Sequence, residues 1–117
     1  MGSGDSSVEG QERRRYPRFR AQVPVELRRA EDAAPYRVST AEISGGGCYI
    51  ETMFTIDLGT KVFLTLWIKE QAIRTTASVA TRHPQVGNGF EFTDMSSEDR
   101  TKLSYFIQSL ATDPNTA

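Results

Sequence analysis

The sequence predicts a small, mostly antiparallel β-barrel with a single C-terminal helix packed on it. Three observations point to this class. Apolar and polar residues alternate in about six short stretches between residues 21 and 93, which is the period of half-buried strands. Clusters of Gly, Pro, Asp and Ser separate these stretches. The one segment with helical spacing, 96–110, comes after the last of them, and its apolar stripe has to dock on the wall or an end of the strands. A chain of 117 residues has room for one domain, which would bury about two-thirds of its unfolded surface. The domain is expected over 12–111, with disordered tails at 1–11 and 112–117. The first tail is rich in Gly, Ser, Asp and Glu, and Pro114 stops helix in the second.

Each element has its own warrant. Residues 13–20 read RRRYPRFR and hold five of the chain's 11 Arg, against 3 Lys in all. So much charge resists burial, and Pro17 pushes Tyr16 towards an extended conformation, so an extended, hinged arm fits better than a helix. In 21–28, Val23, Val25 and Leu27 share one face, and Pro24 belongs at an edge or bulge because it cannot donate to a ladder. After the connection 29–35, a second strand runs over 36–43. Ser44 and three glycines then turn the chain into a third strand, 48–52. Three glycines in a row cost backbone entropy, which makes sense where positive φ or a close approach is required.

A longer loop, 53–60, leads to a fourth strand over 61–69. Val62, Leu64, Leu66 and Ile68 line one of its faces, with Phe63 and Trp67 on the other. The fifth strand is 73–81, closed by His83 and Pro84, and the sixth is 86–93, with Phe90 and Phe92 on one side. Ser96 and Asp99 resemble a capping box at the start of the helix, whose stripe is Leu103, Phe106, Ile107 and Leu110.

Composition excludes several functions. A net charge of −1 and a pI of about 5.8 disfavour a general nucleic-acid binder, for which a domain pI above about 9 is usual. Cys48 is the only cysteine, which removes internal disulfides and thiolate-rich metal sites and fits a reducing compartment, the cytoplasm. The longest mostly apolar run, 63–68, falls far short of the roughly 20 residues that cross a bilayer, and no signal peptide is visible. No set of residues around His83 or Cys48 assembles into catalytic or metal-binding groups, so neither enzyme activity nor a cofactor is expected.

The arginine run is the feature these exclusions leave unexplained. A guanidinium is flat, forked and always charged, so it grips phosphate through paired hydrogen bonds, stacks on rings and fits the O6/N7 edge of guanine. Arg14, Arg15 and Arg18 precede the first strand, and Glu42-x-Ser44-x-x-Gly47 ends the second. Together, one hairpin apart, these resemble the two signatures of the PilZ domain family, RxxxR (often RRxxR) and D/N-x-S-x-x-G. The resemblance extends from about Glu12 to Leu110. It implies a six-stranded antiparallel barrel of the split-barrel type with one C-terminal helix, and a bacterial receptor for cyclic di-GMP. By resemblance Arg14 and Arg18, with Arg15 assisting, hold phosphates and guanine. Ser44 and the residue at 42 address a guanine, and Gly47 lets the ligand approach the backbone. Glu42 departs from the family's Asp or Asn, keeping the carboxylate but adding a methylene.

Further expectations are an arm that orders when ligand neutralises its mutually repelling guanidiniums, a protein partner for the output of a single domain, no specific nucleic acid, no membrane insertion, and a monomer or weak dimer. The alternatives are a protein-interaction module of the same fold that has weakened or lost nucleotide binding, and a small barrel that holds single-stranded nucleic acid.

Overall fold

The computed structural model describes residues 16–112. The expected tail over 1–11, Arg13, Arg14 and Arg15 of the arm, and residues 113–117 lie outside the described residues. In chain order the elements are β1 (Phe19–Arg20), β2 (Pro24–Arg28), β3 (Tyr36–Ile43), β4 (Gly47–Glu51), β5 (Lys61–Ile68), β6 (Gln71–His83), β7 (Gly87–Met95) and α1 (Ser97–Thr112). β3, β2, β5, β6, β7 and β4 pair in that order, all antiparallel, and β4 returns to β3, so six strands close a barrel. Closure leaves these strands without an open edge. The alternating residues expected to face inward do so: Val25, Ile50, Val62, Leu64, Leu66, Ile73, Val79 and Phe90 are all buried.

The strand expected over 21–28 is interrupted. Phe19 and Arg20 pair with Ile43 and Glu42, whereas Pro24 pairs with Ser39, so the register along β3 slips by one residue between them. Thr40, 2% exposed, bridges the slip: its hydroxyl accepts the Val23 N–H at 2.9 Å and donates to the Ala21 carbonyl at 2.6 Å. Pro24 sits just past this break as the first residue of β2, where its missing N–H costs nothing. The last residues of the arm thus join the ladder as β1, contrary to the expectation of a segment standing outside it.

The helix begins as expected but uses its acidic residue differently. Ser96 Oγ accepts the Asp99 N–H at 3.0 Å, an N-cap bond. The Asp99 carboxylate does not complete a capping box; it accepts the Arg74 N–H at 3.0 Å and pairs with Lys102 at 3.6 Å. β7 ends at Met95, opposite Thr75, so Asp99 supplies the acceptor that a longer β7 would have given Arg74. Leu103 is buried, and Phe106, Ile107 and Leu110 pack against the core from its margin. The helix runs to Thr112, past the expected end at Leu110.

Antiparallel connectivity separates the barrel into two ends. The β3–β4 turn, the β5–β6 turn and the start of α1 share one end with β1. Segments 29–35, 52–60 and 84–86 share the other, where the buried Ile56 and Asn88 close the bottom.

Candidate functional site

The first end gathers the described members of the predicted site, Arg18, Glu42, Ser44 and Gly47. Continuing the pairs Phe19↔Ile43 and Arg20↔Glu42 by one residue sets Arg18 opposite Ser44. Arg18 is exposed and has no ion pair or hydrogen bond among the described residues. Arg14 and Arg15 lie outside them.

Glu42 owes its direction to a bulge. The β3–β4 register shifts between Thr40 and Glu42, so Thr40 and Ile43 both point inward, opposite Ile50 and Cys48, while Glu42 faces out opposite Tyr49. Without the extra residue, strict alternation from Thr40 would have turned the carboxylate into the core. The Glu42 side chain is half-buried and, like that of Arg18, makes no ion pair or hydrogen bond among the described residues.

Ser44 is buried, and its hydroxyl is committed to its own turn. Oγ accepts the N–H groups of Gly46 and Gly47 at 3.1 Å each and donates to the Gly47 carbonyl at 3.3 Å. The Ser44 N–H also donates to the Gly47 carbonyl, at 2.9 Å. The glycines have a reason other than positive φ, which among the described glycines only Gly59 adopts. A Cβ on Gly45 would lie 2.9 Å from Tyr16 Cδ1, and one on Gly46 would lie 2.6 Å from Tyr16 Cδ2, so the Tyr16 ring packs against these two residues where side chains would clash. Gly47 has a different neighbour: a Cβ there would strike the Phe90 carbonyl across the β4–β7 pair.

Two contacts at this end were not among the sequence expectations. Arg100, in the first turns of α1, donates from a guanidinium nitrogen to the Gly45 carbonyl at 2.7 Å, tying the helix to the glycine turn. Nothing in a helical pattern marks such a bond to a loop 55 residues away. Tyr16 could have been suspected from an aromatic within the arginine run and a pair of bare glycines, although the two lie far apart in the chain.

On the outer face next to Glu42, Tyr49 Oη and His83 Nδ1 are 2.9 Å apart. Burial, then the nearby Glu51 and Glu42 carboxylates, push the Tyr49 phenol above its ordinary range, so it stays neutral at physiological pH. Cys48, on the opposite face of β4, is buried in the core, and burial pushes its thiol up to about 12. A thiol protonated throughout the physiological range is a poor nucleophile. Among the described residues no three His, Cys, Asp or Glu side chains cluster as metal ligands, and no helix is long and apolar enough to cross a membrane.

The family model described as "PilZ domain" matches residues 12–109. Several solved structures share the fold, three of them as follows. The Bacillus subtilis inhibitor of motility, MotI/DgrA, superposes with a TM-score of 0.70 at 20% identity, covering 86% of this chain and 53% of that one. The PilZ domain of YcgR from Escherichia coli, solved with c-di-GMP, gives 0.67 at 17%, covering 85% and 92%. The PilZ domain of CeSA from a cellulose-synthesizing bacterium gives 0.63 at 18%, covering 80% and 97%. The chain therefore spans about half of MotI/DgrA but nearly all of the two isolated domains. No curated protein matches the chain.

Proposed function

This chain belongs to the PilZ domain family, and from that premise we propose that it is a bacterial, cytoplasmic receptor domain that binds cyclic di-GMP. The observation that carries the reading is the β1–β3 pairing, which sets Arg18 beside Glu42 and the Ser44 turn. An exposed guanidinium and an outward carboxylate, neither paired with a described residue, match what a phosphodiester-linked guanine offers: anionic oxygens and an O6/N7 edge for the first, N1 and N2 hydrogens for the second. Arg14 and Arg15 join Arg18 on the phosphates. Ser44 acts by fixing the turn with its hydroxyl, and Gly47 by letting β4 approach β7 closely. The domain works as a receptor without catalysis and passes its signal to a partner protein.

Ligand binding orders the arginine arm. β1 is two residues long and separated from β2 by the break that Thr40 spans, so it can open without unzipping the barrel. In hydrogen exchange, amides over 16–20 are expected to exchange faster than those of β2 without ligand. With saturating cyclic di-GMP they should slow together with those over 44–47. Equal protection of 16–20 in both states would rule out ordering on binding.

Titration calorimetry with cyclic di-GMP, with GTP as the control, tests the receptor reading. An absence of heat at high micromolar ligand would leave a protein-interaction module. The departure at Glu42 gives a graded version of the test. Glu42→Asp is expected to preserve or tighten binding, and Glu42→Ala to weaken it by roughly tenfold, as for one lost charge-assisted hydrogen bond. Tighter binding by the alanine variant would mean that the native carboxylate repels the phosphates.

A further inference from the structure

We infer that Tyr49 is a preformed stacking platform for a guanine base, held in place by His83. This rests on the reading of the site as a cyclic di-GMP receptor and adds a residue outside both sequence signatures.

Tyr49 on β4 pairs with Glu42 on β3 to one side and Gly89 on β7 to the other. Neither Gly89 nor Gly87 has a side chain, and the Tyr49 ring leans over β7 into the space they leave. Tyr49 Cε2 and Oη lie 2.8 and 2.9 Å from where a Gly87 Cβ would be, and Cδ1 lies 3.6 Å from the corresponding position on Gly89. The far end of the ring is fastened by the 2.9 Å contact between its hydroxyl and His83 Nδ1, with the two ring centroids 5.8 Å apart and tilted by 45°. The ring thus occupies side-chain space that Gly87 and Gly89 leave open, its tip is tied, and the residue remains half-exposed on the outer wall.

A base that binds there meets a side chain already restrained by His83, so part of the ordering cost that a free tyrosine would incur on binding is absent. Guanine is set apart by N1 and N2 hydrogens in the plane of the base and by a π face perpendicular to them. Recognition therefore calls for an in-plane acceptor beside an aromatic surface. Side chains directly opposite on antiparallel strands have Cβ atoms about 4.5–5.5 Å apart, so the Glu42 carboxylate is within reach of the Watson–Crick edge of a base that stacks on the exposed side of Tyr49 and extends back over β4. The bulge that turns Glu42 outward creates this pairing.

Calorimetry on the full chain with cyclic di-GMP, combined with proton NMR, tests the inference. The wild type should bind. Tyr49→Leu, which keeps bulk but removes the π face, should bind roughly tenfold more weakly, whereas Tyr49→Phe, which loses only the His83 contact, should stay within about threefold. On saturation of the wild type, the Tyr49 ring protons should move upfield from the ring current of the stacked base, a signal that a structural role for the ring would not produce. Unchanged affinity in Tyr49→Leu, or Tyr49 ring protons that do not move when ligand is bound, would overturn the platform and leave the receptor reading standing. No binding by the wild type would sink both.

Discussion

Replacing Asn88 by Ala is expected to destabilise the protein by about 3–5 kcal/mol, because it strands two buried backbone groups of Ile56 at about 1–3 kcal/mol each and a partly buried carbonyl of Thr81, less some rehydration. Asn88 is fully buried where the barrel closes at the end away from the arginine arm. Its Oδ1 accepts the Ile56 N–H at 2.8 Å, and its Nδ2 donates to the carbonyls of Ile56 at 2.9 Å and Thr81 at 3.2 Å. The side-chain amide thus imitates a strand residue for a loop that has no strand to pair with, and it seats Ile56 in the bottom of the core. Domains of this kind have only about 5–15 kcal/mol of stability in total, so the variant should approach the unfolding threshold. A urea titration should show a much lower midpoint and, for a domain of this size, a melting temperature lower by roughly ten degrees or more. A loss under about 1 kcal/mol, less than one stranded group should cost, would show that water replaces the amide and that segment 52–60 is held by other contacts.

Arg18→Ala should weaken cyclic di-GMP binding by roughly ten- to a hundredfold, the equivalent of about 1.5–3 kcal/mol for a charge-assisted contact, with no change in melting temperature. The fold should not notice because Arg18 is exposed and precedes β1. Arg20→Ala is the control. Arg20 is also exposed and pairs in register with Glu42, but it lies outside the RRxxR spacing, so its removal should cost much less. Equal losses from both substitutions, measured by calorimetry at one ionic strength, would identify a nonspecific positive patch in place of a site.

The barrel was legible because alternation reports directly which side of a strand meets the core. Val62, Leu64, Leu66 and Ile68 announce an inner face whichever strands lie on either side. What escaped were bonds between distant residues that leave no period in the sequence. The break between β1 and β2 depends on the hydroxyl of Thr40, a residue that reads as an ordinary β-former. The β5–β6 turn is made by Lys69 and Glu70, both at positive φ (52° and 69°), where sequence reasoning looks for Asn-Gly. Asp99 reads as half of a capping box until the end of β7 leaves the Arg74 N–H for it to bind. The same holds for the site. The spacing of Arg18, Glu42, Ser44 and Gly47 could be read from the chain, yet the bulge that aims Glu42, the Tyr16 ring over the glycines and the commitment of the Ser44 hydroxyl to its own turn could not.

The hydrogen bond from Arg100 to the Gly45 carbonyl couples the glycine turn to α1 in both directions. A ligand that binds better when Gly45 is held by Arg100 than when it is released favours one placement of that guanidinium on the surface of α1. Thermodynamic linkage requires that a partner with the same preference on α1 raise the ligand's affinity by the factor by which the ligand raises the partner's. A protein that reads the occupancy of the turn through this helix therefore also sets the concentration of ligand at which the turn fills.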